Sequence, residues 1–447
     1  MKAEWKISGS LKNFLLLCRI AGVMPVSYSL SDKKFKVSLP ARIYSTALSL
    51  LFLVMSINSV FVVMPSSYRD VFDMAKYADA VNLALGTVAA VVSITRSAAL
   101  KQGSVDSFSE KITAVDSILF ARYNKEWDFA TLLLAFQLII IAVCWPLFYG
   151  FILYFFVNQT GLEFLLPGFY MHIIRTLTVL QFSNINILLA RRFRAVNNWL
   201  IYSFKIDDEK QLDSGILGTL EDLYRHNGNG LPWTDSLAIF AEYHFMPEST
   251  PRLAIQDTLK RNAALGDTTR LTSARVMHFI LCDVSKSVSN AYGVQNLLEV
   301  VSCFVSTVIY LYMTLVTLLN IKDIWLGQSK FAVVMMYSVW GLYQLLRVAL
   351  ISWSANVVAK EATRTEQLAL KLQLLARDRV RVLQLLVTQA ARVRPNYTAA
   401  GFFTLDLPLL YTFSGGVAAY LAILVQFSLS DAYQQRSFAN VSTVAKI

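Results

Sequence analysis

Seven apolar blocks, each long enough to cross a bilayer as a helix, stand along this chain between segments rich in Lys, Arg, Asp and Glu. The last is the most uniform: within GFFTLDLPLLYTFSGGVAAYLAILVQF at 401–427, residues Pro408 to Phe427 carry no charge, roughly 30 Å of helix at 1.5 Å per residue. The others fall at about 41–64, closed by Pro65, then 77–100, 129–157, 166–190, 291–319 and 331–358. The second block is the least apolar, with Asp79 and Asn82 early and Arg96 late, which places it among other helices rather than in lipid. The pattern predicts an all-α polytopic membrane protein with seven transmembrane helices.

Composition agrees: 55% of residues are hydrophobic and 16% charged, too apolar for an ordinary soluble domain. The net charge of +11 reflects topology rather than nucleic-acid binding. Most Lys and Arg fall in 1–42, 96–125, 191–286 and 360–394, which puts the amino terminus in the cytosol and the carboxy terminus outside. The short apolar run FLLLC at 14–18 is not a cleavable signal, so the first span is expected to insert uncleaved at the plasma membrane. In order, the expected parts are a cytosolic segment at 1–40, spans one to four within 41–190, and a cytosolic helical loop at 191–290 opening on RRFR. Spans five and six follow within 291–358, then a charged cytosolic helix at 359–404, the seventh helix at 405–428 and an extracellular tail at 429–447. Sequons at Asn158 and Asn440 fall outside and are candidates for glycosylation. Cys18, Cys144, Cys282 and Cys303 have neither CxxC spacing nor an extracellular pair, so no metal site and no disulfide framework is indicated.

On the last helix, Thr412, Gly416, Ala419, Ile423 and Gln426 follow at spacings of four, three, four and three, a single stripe of mostly small or polar residues. A water-filled axis shared by several helices suits such a stripe; ordinary close packing against one neighbour suits it as well. Polar and aromatic residues also gather in the outer halves of spans two to six. Asp79 and Asn82 lie on span two, Trp145 and Tyr149 on span three, and His172 and Arg175 on span four. Tyr310 and Thr314 share a face of span five with Thr307 and Thr317; Tyr337, Trp340 and Gln344 share one of span six with Arg347. Amide, carboxylate and hydroxyl groups beside aromatic rings suit a small polyhydroxylated or amphipathic ligand, and a sugar fits. The competing reading is that the aromatics pack between helices, the threonines bond their own backbone, and Arg175 pairs with Asp79.

Other chemistry is weakly marked. His278 and Asp283 match the H-x4-D spacing of glycerolipid acyltransferases, the alternative of a lipid-modifying enzyme, but no glycine-rich basic block for a phosphate follows. Asp378-Arg379-Val380 resembles the motif after the third span of rhodopsin-like receptors, yet it follows span six here. No metalloprotease, nucleotide-binding or nucleophile-elbow motif is present, so neither an enzyme nor a cofactor is expected.

The carboxy-terminal stretch, AGFFTLDL at 400–407 followed by Tyr420, Gln426 and Phe427 at the A-Y-x5-Q-F spacing, resembles the signature of insect gustatory receptors. Ala419 stands where the family has Thr before the Tyr, which removes a hydroxyl from the stripe. RRF at 191–193, the long loop after it and SVSNAYGVQNLL at 287–298 look most like the fructose-receptor group. The resemblance implies a homotetrameric cation channel, or a heteromer with related receptors, gated by an extracellular tastant such as a sugar, a polyol or a bitter compound. It also implies four copies of the last helix around one pore, Gln426 and Phe427 near the gate, a pocket in each subunit among the outer halves of spans two to six, and an anchor formed by the cytosolic ends of spans four to six with the charged helix.

Overall fold

A computed structural model describes residues 9–29, 34–64, 73–119, 127–160, 162–203, 268–321, 329–375 and 381–444, with 213, 216 and 217. Helix α1 (Gly9–Ile20) leads through an antiparallel hairpin of β1 (Val26–Ser29) and β2 (Lys34–Val37), paired Val26 to Val37, into α2 (Leu39–Asn58), which closes on a π-helical turn at Ser59–Val63. Then come α3 (Asp73–Ala98), α4 (Gln102–Leu119), α5 (Trp127–Thr160), α6 (Leu162–Ser203), α7 (Thr268–Leu318), α8 (Lys330–Leu375), α9 (Arg381–Arg392) and α10 (Pro408–Val444). Among the described residues seven helices are long and apolar enough to cross a membrane, and they are the seven predicted spans.

The helices sort by what they bury. In α2 the face of Ala41, Ser45, Ser49, Phe52 and Ser56 is buried, whereas Leu50, Leu51, Val54 and Ile57 stand exposed. Small residues let the helix approach its neighbours closely, and the large apolar ones suit lipid contact. Helices α6, α7 and α8 form the centre, each packed on the other two, and share a core that holds Phe182, Phe193, Leu281, Val348 and Ile351 at essentially no exposure. Helix α10 packs on α7 and more lightly on α8. Only 11% of its membrane-length window is buried in its own chain, against 67% for α6 and α7.

Several boundaries differ from expectation. Helix α6 runs on to Ser203 and α7 begins at Thr268, so both extend into the segment read as a cytosolic helical loop; α8 runs without a break through Glu361 to Leu375, so the charged helix expected from 359 starts as its continuation. Charged residues end hydropathy, but they do not interrupt backbone hydrogen bonding. Helix α10 continues to Val444, through the stretch read as a tail. The sequon Asn158 lies within α5 and Asn440 within α10. The loop signal at 226–230 and Asp378-Arg379-Val380 lie outside the described residues.

Candidate functional site

Seven rings from four helices gather in one aromatic box. Trp340 of α8 lies 4.2 Å from His172 of α6, 5.8 Å from Trp145 and 6.0 Å from Tyr149 of α5, 6.2 Å from Tyr310 of α7 and 5.7 Å from its own neighbour Tyr343, all between centroids. Trp145 also stands edge-on to Tyr343 at 5.1 Å, and Tyr337 packs on Tyr310 at 6.1 Å. Each favourable ring pair contributes about 0.5–1.5 kcal/mol beyond area burial. Trp145, Tyr149, His172, Tyr310, Tyr337 and Trp340 are all buried. The structure thus brings six of the eleven predicted ligand residues into one contiguous group, with Tyr343 added.

About two turns along α8 from Trp340 lies a charged cluster. Arg175 of α6 donates from Nε to Glu299 Oε2 of α7 at 3.0 Å and from Nη2 to Oε1 at 3.3 Å. Arg347 of α8 pairs with the same carboxylate through Nη2 and donates from Nη1 to Gln344 Oε1 at 3.0 Å. Cys303 lies 3.3 Å from both Glu299 Oε1 and Gln344 Oε1. The Arg347 guanidinium sits 5.1 Å from the Tyr343 ring centroid, which joins cluster to box. Thr176 donates to the His172 carbonyl at 2.6 Å; its one proton is then spent, so Tyr343 donates to Thr176 across their 2.5 Å contact.

The remaining residues read as follows. Arg175 pairs with Glu299, not with Asp79: the acidic residue on the adjoining α7 reaches the guanidinium with both carboxylate oxygens. Asp79 is half-buried on α3, and Asn82, about one turn along the same helix, is buried. Thr314 donates to the Tyr310 carbonyl at 2.8 Å and Thr307 to that of Cys303 at 2.7 Å, so both hydroxyls are spent on their own helix. Glu299, Cys303, Thr176 and Tyr343 were not anticipated. Glu299 had a signal: two arginines buried in apolar spans demand a carboxylate at similar depth.

On α10 the stripe divides. Thr412, Ala419, Ile423, Gln426 and Phe427 are exposed, whereas Gly416 turns toward its own chain, where a Cβ would stand 3.0 Å from Phe304 Cε2. Phe304 of α7 meets Phe413 at 5.6 Å and Tyr420 at 5.8 Å, both edge-on. Ser428 and Tyr312 share a hydrogen bond of 2.6 Å farther along. Asp406 caps the helix start, accepting from Leu409 N at 3.3 Å and from Thr404 Oγ1 at 3.0 Å.

The H-x4-D pair does not form a dyad. His278 is buried with its ring 5.7 Å from Phe193, while Asp283 accepts from Lys111 Nζ at 2.6 Å. Five residues apart on one helix, the two side chains point to different faces. All four cysteines are free thiols, and among the described residues no group of His, Cys, Asp and Glu could hold a metal ion.

The family model described as 7tm Chemosensory receptor matches residues 236–431. Gustatory receptor 28b of Drosophila melanogaster is 28% identical over 158 residues, 34% of this chain and 33% of that one. The Drosophila melanogaster gustatory receptor for bitter taste 66a is 54% identical over 35 residues, 8% of this chain and 7% of that protein. The chain thus spans about a third or less of the length of these curated relatives. In fold it is similar to the insect olfactory receptor OR5 from Machilis hrabei, with a TM-score of 0.53 at 14% identity over 93% of this chain and 97% of that one. With its seven membrane-length helices, the chain is thus similar over residues 236–431 to the chemosensory receptor family, in shorter stretches to insect gustatory receptors, and in fold to an insect olfactory receptor.

Proposed function

We propose that the chain is a subunit of a tetrameric, ligand-gated, non-selective cation channel of the plasma membrane, opened by an extracellular small molecule, with a sugar such as fructose as the ligand class. The observation that carries this reading is the nakedness of α10. A helix with 11% of its membrane window buried in its own chain, and with the Gln426 amide exposed, is costly in lipid; the Thr412 hydroxyl is already spent on the Leu409 carbonyl at 2.9 Å. Four copies around a wet axis give that amide water and the small residues close neighbours.

The aromatic box is the proposed ligand pocket, Trp340 offering a ring face and Gln344 an amide. Helix α7 is the proposed lever, since it bears Tyr310 at the box, Glu299 at the charged cluster and Phe304 against Phe413, Gly416 and Tyr420 of α10. A ligand opens the gate only insofar as it binds the open arrangement more tightly. Its binding shifts α7, and α10 carries Phe427 away from the axis. A bitter compound is the second ligand class, favoured by the stretch shared with the bitter-taste receptor 66a.

The test is whole-cell current from the chain expressed alone while sugars, polyols and bitter compounds are applied outside. A reversible cation current evoked by one of them supports the proposal, and Gln344→Ala should then reduce ligand sensitivity about tenfold or more with unitary conductance unchanged. A change in conductance at unchanged sensitivity would refute the assignment of pocket and pore.

A further inference from the structure

We propose that the cluster of Arg175, Glu299, Gln344 and Arg347 is a binding site for a monovalent anion, either a carboxylate carried by the pocket's ligand or a small inorganic anion. Two guanidiniums converge on one carboxylate, and all three side chains are buried, at 1%, 4% and 7% exposure for Arg175, Arg347 and Glu299. Arginine does not shed its proton at any ordinary pH, so the cluster carries one surplus positive charge. A buried charge without a counter-charge costs several kcal/mol, and more at membrane depth.

Hydrogen bonding is unbalanced in the same sense. Guanidiniums only donate. The acceptors are already engaged: both Glu299 oxygens by Arg175, one of them also by Arg347 and Cys303, and Gln344 Oε1 by Arg347 and Cys303. Arg347 Nε and Gln344 Nε2 are left buried with no acceptor among the described residues. The carboxylate that both guanidiniums meet is that of Glu299, not that of Asp79 on α3. A neutral hydroxyl would bring a donor with every acceptor and leave both imbalances standing. An anion brings acceptors alone and supplies the missing charge.

The position gives the anion a role. Gln344, a member of the cluster, lies about one turn along α8 from Trp340 of the box, and Arg347 lies against Tyr343. A ligand with its ring face on Trp340 could place a carboxylate on Gln344 Nε2 and Arg347 Nε. That form of the proposal rests on the pocket reading; the inorganic form does not.

Thermal unfolding of the purified full-length chain in lipid nanodiscs tests both forms without requiring a current. Sodium chloride, sodium bromide, sodium glucuronate and glucose are titrated separately, with ionic strength held by sodium sulfate. A saturable rise in melting temperature is expected for an anion and not for glucose. A halide response assigns the inorganic anion; a response to glucuronate alone assigns the ligand's carboxylate. Glu299→Gln raises the surplus charge and should tighten the anion by at least about tenfold. Arg347→Gln removes the surplus and should abolish the response without lowering the melting temperature read in sodium sulfate alone. Should that variant fail to fold, Gln344→Leu, which keeps every charge but loses Nε2, should weaken the anion. The proposal is overturned if no anion gives a saturable shift, if Glu299→Gln weakens rather than tightens binding, or if Arg347→Gln responds like the parent. If the halide shift appears and currents do not, the site stands and the channel reading fails.

Discussion

The pair of Arg192 and Asp116 joins α6 to α4 by a bidentate ion pair, Nε to Oδ1 at 2.9 Å and Nη2 to Oδ2 at 2.8 Å, with side chains 8% and 4% exposed. Arg192 also donates from Nη1 to the Leu188 carbonyl at 3.2 Å, so the guanidinium is held in one orientation. Asp116→Ala strips a buried cation of this carboxylate, and the expected cost is about 3–5 kcal/mol, most of it the penalty of the charge left behind. Asp116→Asn keeps an acceptor but not the charge, and should fall between parent and alanine variant. The double variant Asp116→Leu with Arg192→Met removes both charges and leaves apolar groups of similar size, so it should recover to within about 1–2 kcal/mol of the parent. Thermal unfolding of the lipid-embedded chain, with surface yield in cells, reads all four. If Asp116→Ala melts with the parent, or if the double variant is no more stable than Asp116→Ala, the pair does not hold α4 on the central helices.

Three further outcomes follow from backbone and burial. A Cβ on Gly293 would stand 3.0 Å from Ala400 N and 3.3 Å from Thr398 O, backbone atoms that cannot swing aside, so Gly293→Ala should displace the turn before α10 and cost about 1–3 kcal/mol, read by thermal unfolding. Gly401 has φ +86° with open space around it, so Gly401→Ala should lose about 1–2 kcal/mol from backbone strain alone while Gly415→Ala, which meets nothing within 4 Å, stays close to neutral. Burial pushes the Cys18 thiol up to about 12, so at about pH 8 it stays protonated; an alkylating reagent should leave it unmodified in the folded chain and label it on unfolding, whereas labelling of the folded chain at that pH would contradict the packing of α1.

How much of the fold the chain disclosed depended on what kind of signal carried it. Crossing a bilayer requires about twenty apolar residues, a demand strong enough that all seven spans stand out, Asp79 and Arg96 in α3 notwithstanding. The helix ends did not stand out, because hydropathy reports the membrane while hydrogen bonding reports the helix; α7 therefore begins at Thr268, well before its apolar part. The hairpin at 26–37 is built from two four-residue strands beside Lys34 and Lys36, too short for alternation to be read against a basic run. Helix α4 carries its buried residues, Ile112, Val115, Asp116 and Leu119, on one face, but a polar helix between two spans is overshadowed by its apolar neighbours.

The site shows the same division at the level of single residues. Helical spacing sufficed to put Tyr310 and Thr314 on one face of α7, and Tyr337, Trp340, Gln344 and Arg347 on one face of α8, yet spacing within a helix says nothing of which other helix that face meets. Arg175 was therefore offered Asp79, the carboxylate in the neighbouring apolar block, although α7 supplies Glu299. Gly416 was assigned to the stripe it shares with Thr412 and Ala419, although it lies at the stripe's edge, where α10 rests on Phe304. Both cases turn on the rotation of one helix about its axis relative to the next. For α10 that rotation is set by one apolar line, with Phe413 and Val417 buried, Leu409, Leu410, Leu421 and Leu424 half-buried beside them, Phe304 edge-on to Phe413 and Tyr420, and the Tyr312–Ser428 hydrogen bond beyond. The spacing of those residues is legible along the chain, whereas the helix they meet is decided only when α7 and α10 pack together.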